Sequence, residues 1–191
     1  MNILVFDTET NGKIADFNAS PKDFEKFPRI TQIAWAKFHL GDKPTRQGTQ
    51  STLIFPDGWT IPVEPFFMEN NMNDERCRNE GLAIKGVLKL LCEDIEKADV
   101  IVAHNMNFDL RIVAAEMNRL GLSCANKPRK VCTMLSSAKY CNLPKFKWPK
   151  LEELHTKLFG HFNIKAHDAL GDVLATADCF FELVKLGVIK L

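Results

Sequence analysis

No stretch of this sequence approaches the apolar length needed to span a bilayer, so a helical membrane protein is not expected. It also lacks a surplus of either charge. Against 25 Lys and Arg stand 24 Asp and Glu, and composition alone selects neither an acidic nor a basic partner. The six cysteines (Cys77, Cys92, Cys124, Cys132, Cys141, Cys179) contain no C-x-x-C pair and no regular spacing, which argues against a zinc site and against a disulfide framework. Free thiols are the simpler reading and point to the reducing cytoplasm. The apolar run Ile3-Leu4-Val5-Phe6 is too short for a secretory signal core, and no basic segment precedes it. Internal repeats and low-complexity tracts are absent as well. The expectation is one soluble, compact domain over residues 1–191, ending within four residues of its last helix and so without a tail to tether it.

Residues 2–7 (NILVFD) form an apolar, strand-forming run that suits a buried strand, closed by Thr10-Asn11-Gly12. Residues 13–28 read as a loop with room for one helical turn. From Arg29 to Leu40 apolar positions alternate as in a strand, Gly41 to Pro44 turns the chain, and residues 51–55 return, giving a hairpin or meander. Residues 56–72 read as a surface connection. A helix is expected over about 82–98, a strand over 99–103, and a helix capped by Asn105 and stopped at Gly121. A fifth strand at 130–133 leads into a helix through Lys139. Pro149 introduces another helix that Gly160 ends, and the last helix covers about 168–186. The fold class that follows is α/β, a mixed central sheet of about five strands flanked by helices.

Asp7 and Glu9 stand two apart at the end of the first strand, so both carboxylates leave the same face. Two anions so placed repel each other, and a cation between them reverses the sign of that interaction. Taken alone they are merely the first polar residues of a loop. Asp109 lies in the first turn of a helix, where the dipole favours any acid. His167 and Asp172 open the last helix, with small neighbours (Ala169, Ala175, Thr176) that allow close approach to a strand edge. Asp168 adds a carboxylate that could orient His167 or serve as a decoy.

The three segments together, D-T-E-T at 7–10, H-N-x-x-F-D at 104–109 and H-x-x-x-x-D at 167–172, resemble the motifs of the DnaQ-like exonucleases, the DEDD superfamily in its histidine-containing DEDDh form. The intervening PRITQIAW (28–35) and LEELHTKLFG (151–160) are similar too, and the resemblance covers essentially the whole chain. Asn11 stands where many relatives carry a second threonine, and the 13–28 loop is longer than in the shortest members. The resemblance implies a ribonuclease H-like fold and a 3′–5′ exonuclease that acts on single-stranded 3′ ends, DNA favoured over RNA, and releases nucleoside 5′-monophosphates. It implies two metal ions, Mg²⁺ or Mn²⁺, with Asp7 bridging them, Glu9 and Asp172 completing one and Asp109 the other, and His167 as general base toward the attacking water. The oxygen-only donor set agrees with those hard cations rather than zinc.

The same resemblance places the backbone around Thr8, Glu9 and Thr10 at the terminal nucleotide, with Asn105 and Phe108 near the second. Between Met117 and Leu151 there is no acidic residue but eight basic ones (Arg119, Lys127, Arg129, Lys130, Lys139, Lys145, Lys147, Lys150), interleaved in the second half with Tyr140, Phe146 and Trp148. Lys145 and Lys147 are candidate phosphate contacts. The alternative is a solvated loop whose aromatics pack inward. Competing functions are a proofreading subunit with a polymerase partner, an RNA-trimming exoribonuclease, and a binding module that kept the fold without the activity. The chain to Leu191 shows neither the polymerase-binding extension nor the clamp segment of the bacterial proofreading subunit, which favours an independent nuclease. No membrane partner is expected, and nothing in the pattern fixes an oligomeric state.

Overall fold

The computed structural model describes residues 1–126, 128–162 and 168–191. Within them one five-stranded sheet runs in the order β3-β2-β1-β4-β5. Its middle strand is β1 (Asn2–Thr10), antiparallel to β2 (Ile30–Leu40), which pairs antiparallel with the edge strand β3 (Pro44–Leu53). On the other side β4 (Val100–Ala103) and β5 (Arg129–Cys132) run parallel to it. The expected mixed sheet is therefore present, and the sense of pairing changes at β1.

Alternation along β1 sorts its side chains into two cores. Leu4 and Phe6 pack with α3 (Ile84–Glu96) and α4 (Met106–Arg119) through Val87, Leu88, Leu91 and Ile112. Ile3 and Val5 pack with α7 (Ala169–Lys185) through Val173, Ala177 and Phe180. Each such side chain, fully buried, contributes roughly 1.5–3 kcal/mol. The alternation read in β2 does not divide inside from outside, because Ile30 through Ala36 are all buried. β2 is an interior strand covered on both faces. Trp35 donates its indole N–H to Asp94 of α3 at 2.8 Å, so even its polar atom is served inside.

Three other expectations are corrected. β3 begins at Pro44 rather than at 51, and its first half is a polar edge, where proline and exposed residues are tolerated. The 56–72 connection contains α1 (Pro65–Glu69), and α2 (Asp74–Glu80) precedes the 82–98 helix; α2 buries only Cys77, so no apolar period announces it. Cys92 and Cys124 form a disulfide between α3 and the segment after α4, while Cys77, Cys132, Cys141 and Cys179 are free. The two sulfurs are 32 residues apart in sequence and are brought together by β4 and α4, which spacing does not reveal. The pairing removes the argument from six free thiols on which the cytoplasmic expectation rested. Among the described residues, no helix is long and apolar enough to cross a membrane.

Two features hold the long loops. Residues 13–28, with a single 3-10 turn at Phe24–Lys26, are fastened to α4. Arg111 donates to the carbonyls of Phe17 and Ala19, Asn118 to that of Pro21, and Arg119 to those of Phe24 and Phe27. Beneath them Glu116, 1% exposed, pairs with Arg29 at 2.8 Å and Arg119 at 3.2 Å and accepts from the Ile30 amide. Arg119 is thus a structural ion-pair partner and leaves the group of basic candidates. The excursion carrying α1 and α2 is closed at its ends by a bridge between Ile54 and Leu82. There Phe55 donates to the Leu82 carbonyl at 3.0 Å and Leu82 to that of Leu53 at 2.9 Å. Gly81 makes this possible: a Cβ there would lie 2.2 Å from the Cys77 carbonyl and 2.6 Å from the Phe55 nitrogen.

Candidate active site

The last residues of β1 continue the alternation into polar side chains. Asp7 and Glu9 leave the face that α7 covers, and Thr8, 5% exposed, leaves the opposite face toward α4. On the α7 side, Ala169, Ala175 and Thr176 are buried, and these small side chains let the helix lie close against the sheet. Asp172 in its first turn is thereby carried to β1. Ligand oxygens of Asp7, Glu9 and Asp172 lie within 4.8 Å of one another, all three side chains half-buried. On the other face Thr8 donates its backbone N–H (3.1 Å) and its hydroxyl (2.8 Å) to Asp109 Oδ1, which anchors the fourth carboxylate, 2% exposed. All four acids of the three motifs are therefore gathered at the end of β1.

This gathering is electrostatically unfavourable without a cation. Burial, then the charges of Asp109, Glu9 and Asp172, raises the Asp7 pKa well above its usual value. Burial followed by Asp172 and Asp109 lifts Glu9 to about 7. Asp109 is also lifted to about 7, chiefly by burial, and the two Thr8 hydrogen bonds oppose that rise.

Asp168 is neither idle nor a decoy ligand. It caps α7, accepting from the Gly171 amide at 3.3 Å, and is held by the Gln32 side chain at 2.9 Å. Gln32 in turn accepts from the Ala169 amide at 3.4 Å, so a buried glutamine of β2 ties the start of α7 to the sheet. Gln32 was not singled out from sequence; its placement at an alternating position of a strand carries no local signal. His167 and Lys127 lie outside the described residues.

Asn105 precedes α4 but does not cap it through its side chain. Its backbone is left-handed (φ 68°, ψ 45°), a conformation asparagine tolerates, and its side chain is exposed. The tight turn is held by His104. That ring contacts the Pro149 carbonyl through Nε2 at 3.0 Å and the Thr133 hydroxyl through Nδ1 at 3.0 Å. A carbonyl only accepts, so Nε2 carries the proton and Nδ1 accepts from Thr133. Burial holds the His104 pKa down at about 4, so the ring is neutral.

A cleft of about 660 Å³ opens beside Glu9. It is lined by Thr8 through Lys13, by Phe108 of α4 and by Glu64, Phe66 and Phe67 at the α1 excursion. Its size and mixed lining suit a small polar ligand with an aromatic part. Thr10 donates its hydroxyl to the Gly12 carbonyl at 2.7 Å, which shapes the rim. Lys147 is paired with Glu153 at 2.7 Å, while Lys145 is exposed. Of the interleaved aromatics, Tyr140 packs on the core, but Phe146 and Trp148 are 96% and 60% exposed. For those two, inward packing is excluded.

With the geometry described, comparison with known proteins identifies the class. A family model described as Exonuclease (RNase_T) matches residues 4–180. The chain belongs to this exonuclease family, as a DnaQ-like, ribonuclease H-like member of the 3′–5′ exonucleases. It is 31% identical over 138 residues to the PolC-type DNA polymerase III of Caldanaerobacter subterraneus subsp. tengcongensis, covering 72% of this chain and 9% of the polymerase. Exonuclease I of E. coli, solved with a dT13 oligonucleotide, superposes over 96% of this chain and 41% of its own at a TM-score of 0.70 and 20% identity. Cell-death related nuclease 4 superposes over 97% of this chain and 64% of its own, also at 0.70, with 14% identity. The chain thus spans less than a tenth of the polymerase and about two-fifths of exonuclease I.

Proposed function

We propose that this domain removes nucleotides one at a time from the 3′ end of single-stranded nucleic acid, DNA in preference to RNA, releasing nucleoside 5′-monophosphates. The observation that carries this reading is the meeting of Asp7, Glu9 and Asp172 oxygens within 4.8 Å, with Glu9 also lining the cleft. The donor set is all carboxylate oxygen and each member's charge is opposed by the others, which fits two hard divalent cations, Mg²⁺ or Mn²⁺, held by these three residues and Asp109. Such ions, when bound, supply Lewis-acid stabilisation of charge on the phosphate and on the attacking and leaving oxygens.

The chain's own residues do the rest. Thr8 positions Asp109 through both of its donors. The backbone around Thr8, Glu9 and Thr10 holds the terminal nucleotide in the cleft, and Phe108 and exposed Asn105 meet the second one. His167, immediately before the Asp168 cap of α7, serves as general base toward the attacking water; its loss lowers the rate by about 10²–10⁴-fold. Lys145 and Lys147 draw the strand's phosphates toward the site.

The test is digestion of 5′-labelled single-stranded DNA and RNA of matched sequence with Mg²⁺, with Mn²⁺ and with chelator, alongside Asp7→Ala. The expected result is a metal-dependent ladder shortening from the 3′ end, stronger on DNA and absent in the variant. Cleavage that survives chelator or Asp7→Ala overturns the reading, and stronger cleavage of RNA transfers it to RNA trimming. A second reading, proofreading alongside a polymerase, is favoured by the 31% identity to the PolC-type enzyme. Co-purification with a polymerase would select it.

A further inference from the structure

The segment 142–150 between α5 (Thr133–Cys141) and α6 (Leu151–Phe159) has features that its role as a connection does not require. Phe146 is 96% exposed and Trp148 60% exposed, both in an otherwise polar loop. Water penalises such display, and a connection of this kind has no packing use for either ring. The backbone compounds the penalty. Lys145 and Phe146 are both left-handed, at φ 58° and φ 55°, a conformation that a residue with a β-carbon adopts only when its surroundings impose it.

The residues that follow them are held on both sides. Glu153 in the first turn of α6 accepts from the Lys150 amide at 2.7 Å and from the Lys147 ammonium at 2.7 Å, fixing the C-terminal half of the loop. The Pro149 carbonyl is held by His104 Nε2 at 3.0 Å. His104 follows β4 directly and begins the turn into α4, which carries Phe108 and Asp109. Trp148 is therefore one residue from an anchor on the active-site turn, and the loop's height above that turn is set by a neutral, buried imidazole rather than by solvent. Exposed Lys145 and Lys150 flank the two rings.

We infer that Phe146 and Trp148 form a stacking platform for bases of the single strand upstream of the 3′-terminal nucleotides, with Lys145 and Lys150 meeting the intervening phosphates. This rests on the exonuclease reading and deepens it: the cleft beside Glu9 takes the end, and the loop takes the strand that leads away from it. Exposed aromatic rings accept any base, so the contact gives affinity without sequence preference, and its charge component is screened by salt. A protein partner for the same rings is the competing occupant. The absence of acidic residues from Met117 to Leu151, and the attachment to the active-site turn, favour the polyanion.

The test measures binding apart from turnover. In the Asp7→Asn background, with the strand left intact, anisotropy titrations compare a labelled thymidine dinucleotide with a long oligothymidylate, with and without Phe146→Ala and Trp148→Ala together. Both rings lie outside the core, and an unchanged melting midpoint confirms that the fold persists. In the parent, the long strand binds far more tightly than the dinucleotide. In the double variant that gain falls by about ten- to a hundredfold while dinucleotide affinity is kept. Equal affinity for the long strand in parent and variant overturns the platform, as does a parent that gains nothing with length. Neither outcome depends on hydrolysis, so failure of the platform and failure of the exonuclease reading are separately visible.

Discussion

Helix α4 carries two buried acids seven residues apart, Asp109 and Glu116, on the same face and about two turns from each other. Glu116 is answered inside the protein by Arg29, Arg119 and the Ile30 amide. Asp109 is answered only in part, by the two donors of Thr8, and the charges beside it are other carboxylates, those of Asp7 and Asp172. The first arrangement brings its counter-charges with it and fastens a loop, although Glu116 Oε2 and Arg119 Nη1 are left without a hydrogen-bond partner; the second is under tension that a cation would relieve. An acid buried with its counter-charge serves the fold, and an acid buried among other acids serves a ligand.

The sharpest way to test this contrast is to neutralise one acid from each group. Glu116→Gln strands two guanidinium groups and is expected to destabilise by about 3–5 kcal/mol, whatever the divalent concentration. Asp7→Asn abolishes nuclease activity and yet raises the melting midpoint in chelator, by about 5 °C, because it removes repulsion. A fall in the midpoint for Asp7→Asn would break the comparison. The second test uses pH. A carboxylate whose folded-state pKa is raised stabilises the fold below its unfolded value and loses that contribution as pH climbs through the folded one. Glu9 and Asp109 both stand at about 7, from ordinary values of 4.5 and 3.8. In chelator, stability should therefore decline as pH climbs from about 4 through about 7, and Mg²⁺ or Mn²⁺ should flatten the slope. A slope indifferent to divalent ions would count against a metal site.

How much of this was legible in the sequence depended on the distance over which each arrangement is written. The strand period puts Asp7 and Glu9 on one face, but they, Asp109 and Asp172 became readable as a site only through the three segments whose joint order resembles the DnaQ-like motifs. The partnership of Thr8 with Asp109 spans 101 residues, and the Glu116 cluster draws one arginine from just after the 13–28 loop and one from the end of α4; no local pattern joins the first of these to Glu116. α1 and α2 escaped because they bury one residue each, Phe67 and Cys77. The left-handed backbone at Asn105 was hidden because the same residue type serves as an ordinary cap.

Two smaller effects extend the comparison to residues that are polar and buried but uncharged. His104 is held neutral with its pKa at about 4, down from 6.5, so its contribution is present above the unfolded value and lost as pH falls through the folded one. Acidification from about pH 6.5 to 4 should cost up to about 3 kcal/mol through this ring, and His104→Gln should remove that part of the acid slope in calorimetry. Thr8→Val keeps the shape and the backbone donor but deletes the hydroxyl. It should cost about 1 kcal/mol and move the alkaline stability decline in chelator upward in pH, because Asp109 loses one bond that opposes its pKa rise.

The bridge between Ile54 and Leu82 closes the segment from Phe55 to Gly81 at its ends, and the segment also packs on Leu53 of β3, accepts from Asn11 at the Thr60 carbonyl and supplies Glu64, Phe66 and Phe67 to the cleft. The carboxylates come from β1, α4 and α7, none of which belongs to it. On the proposed reading, the fit of an end-group and its cleavage are thus carried by different parts of the chain, the first shaped by the segment that Gly81 clasps and the second by the carboxylates.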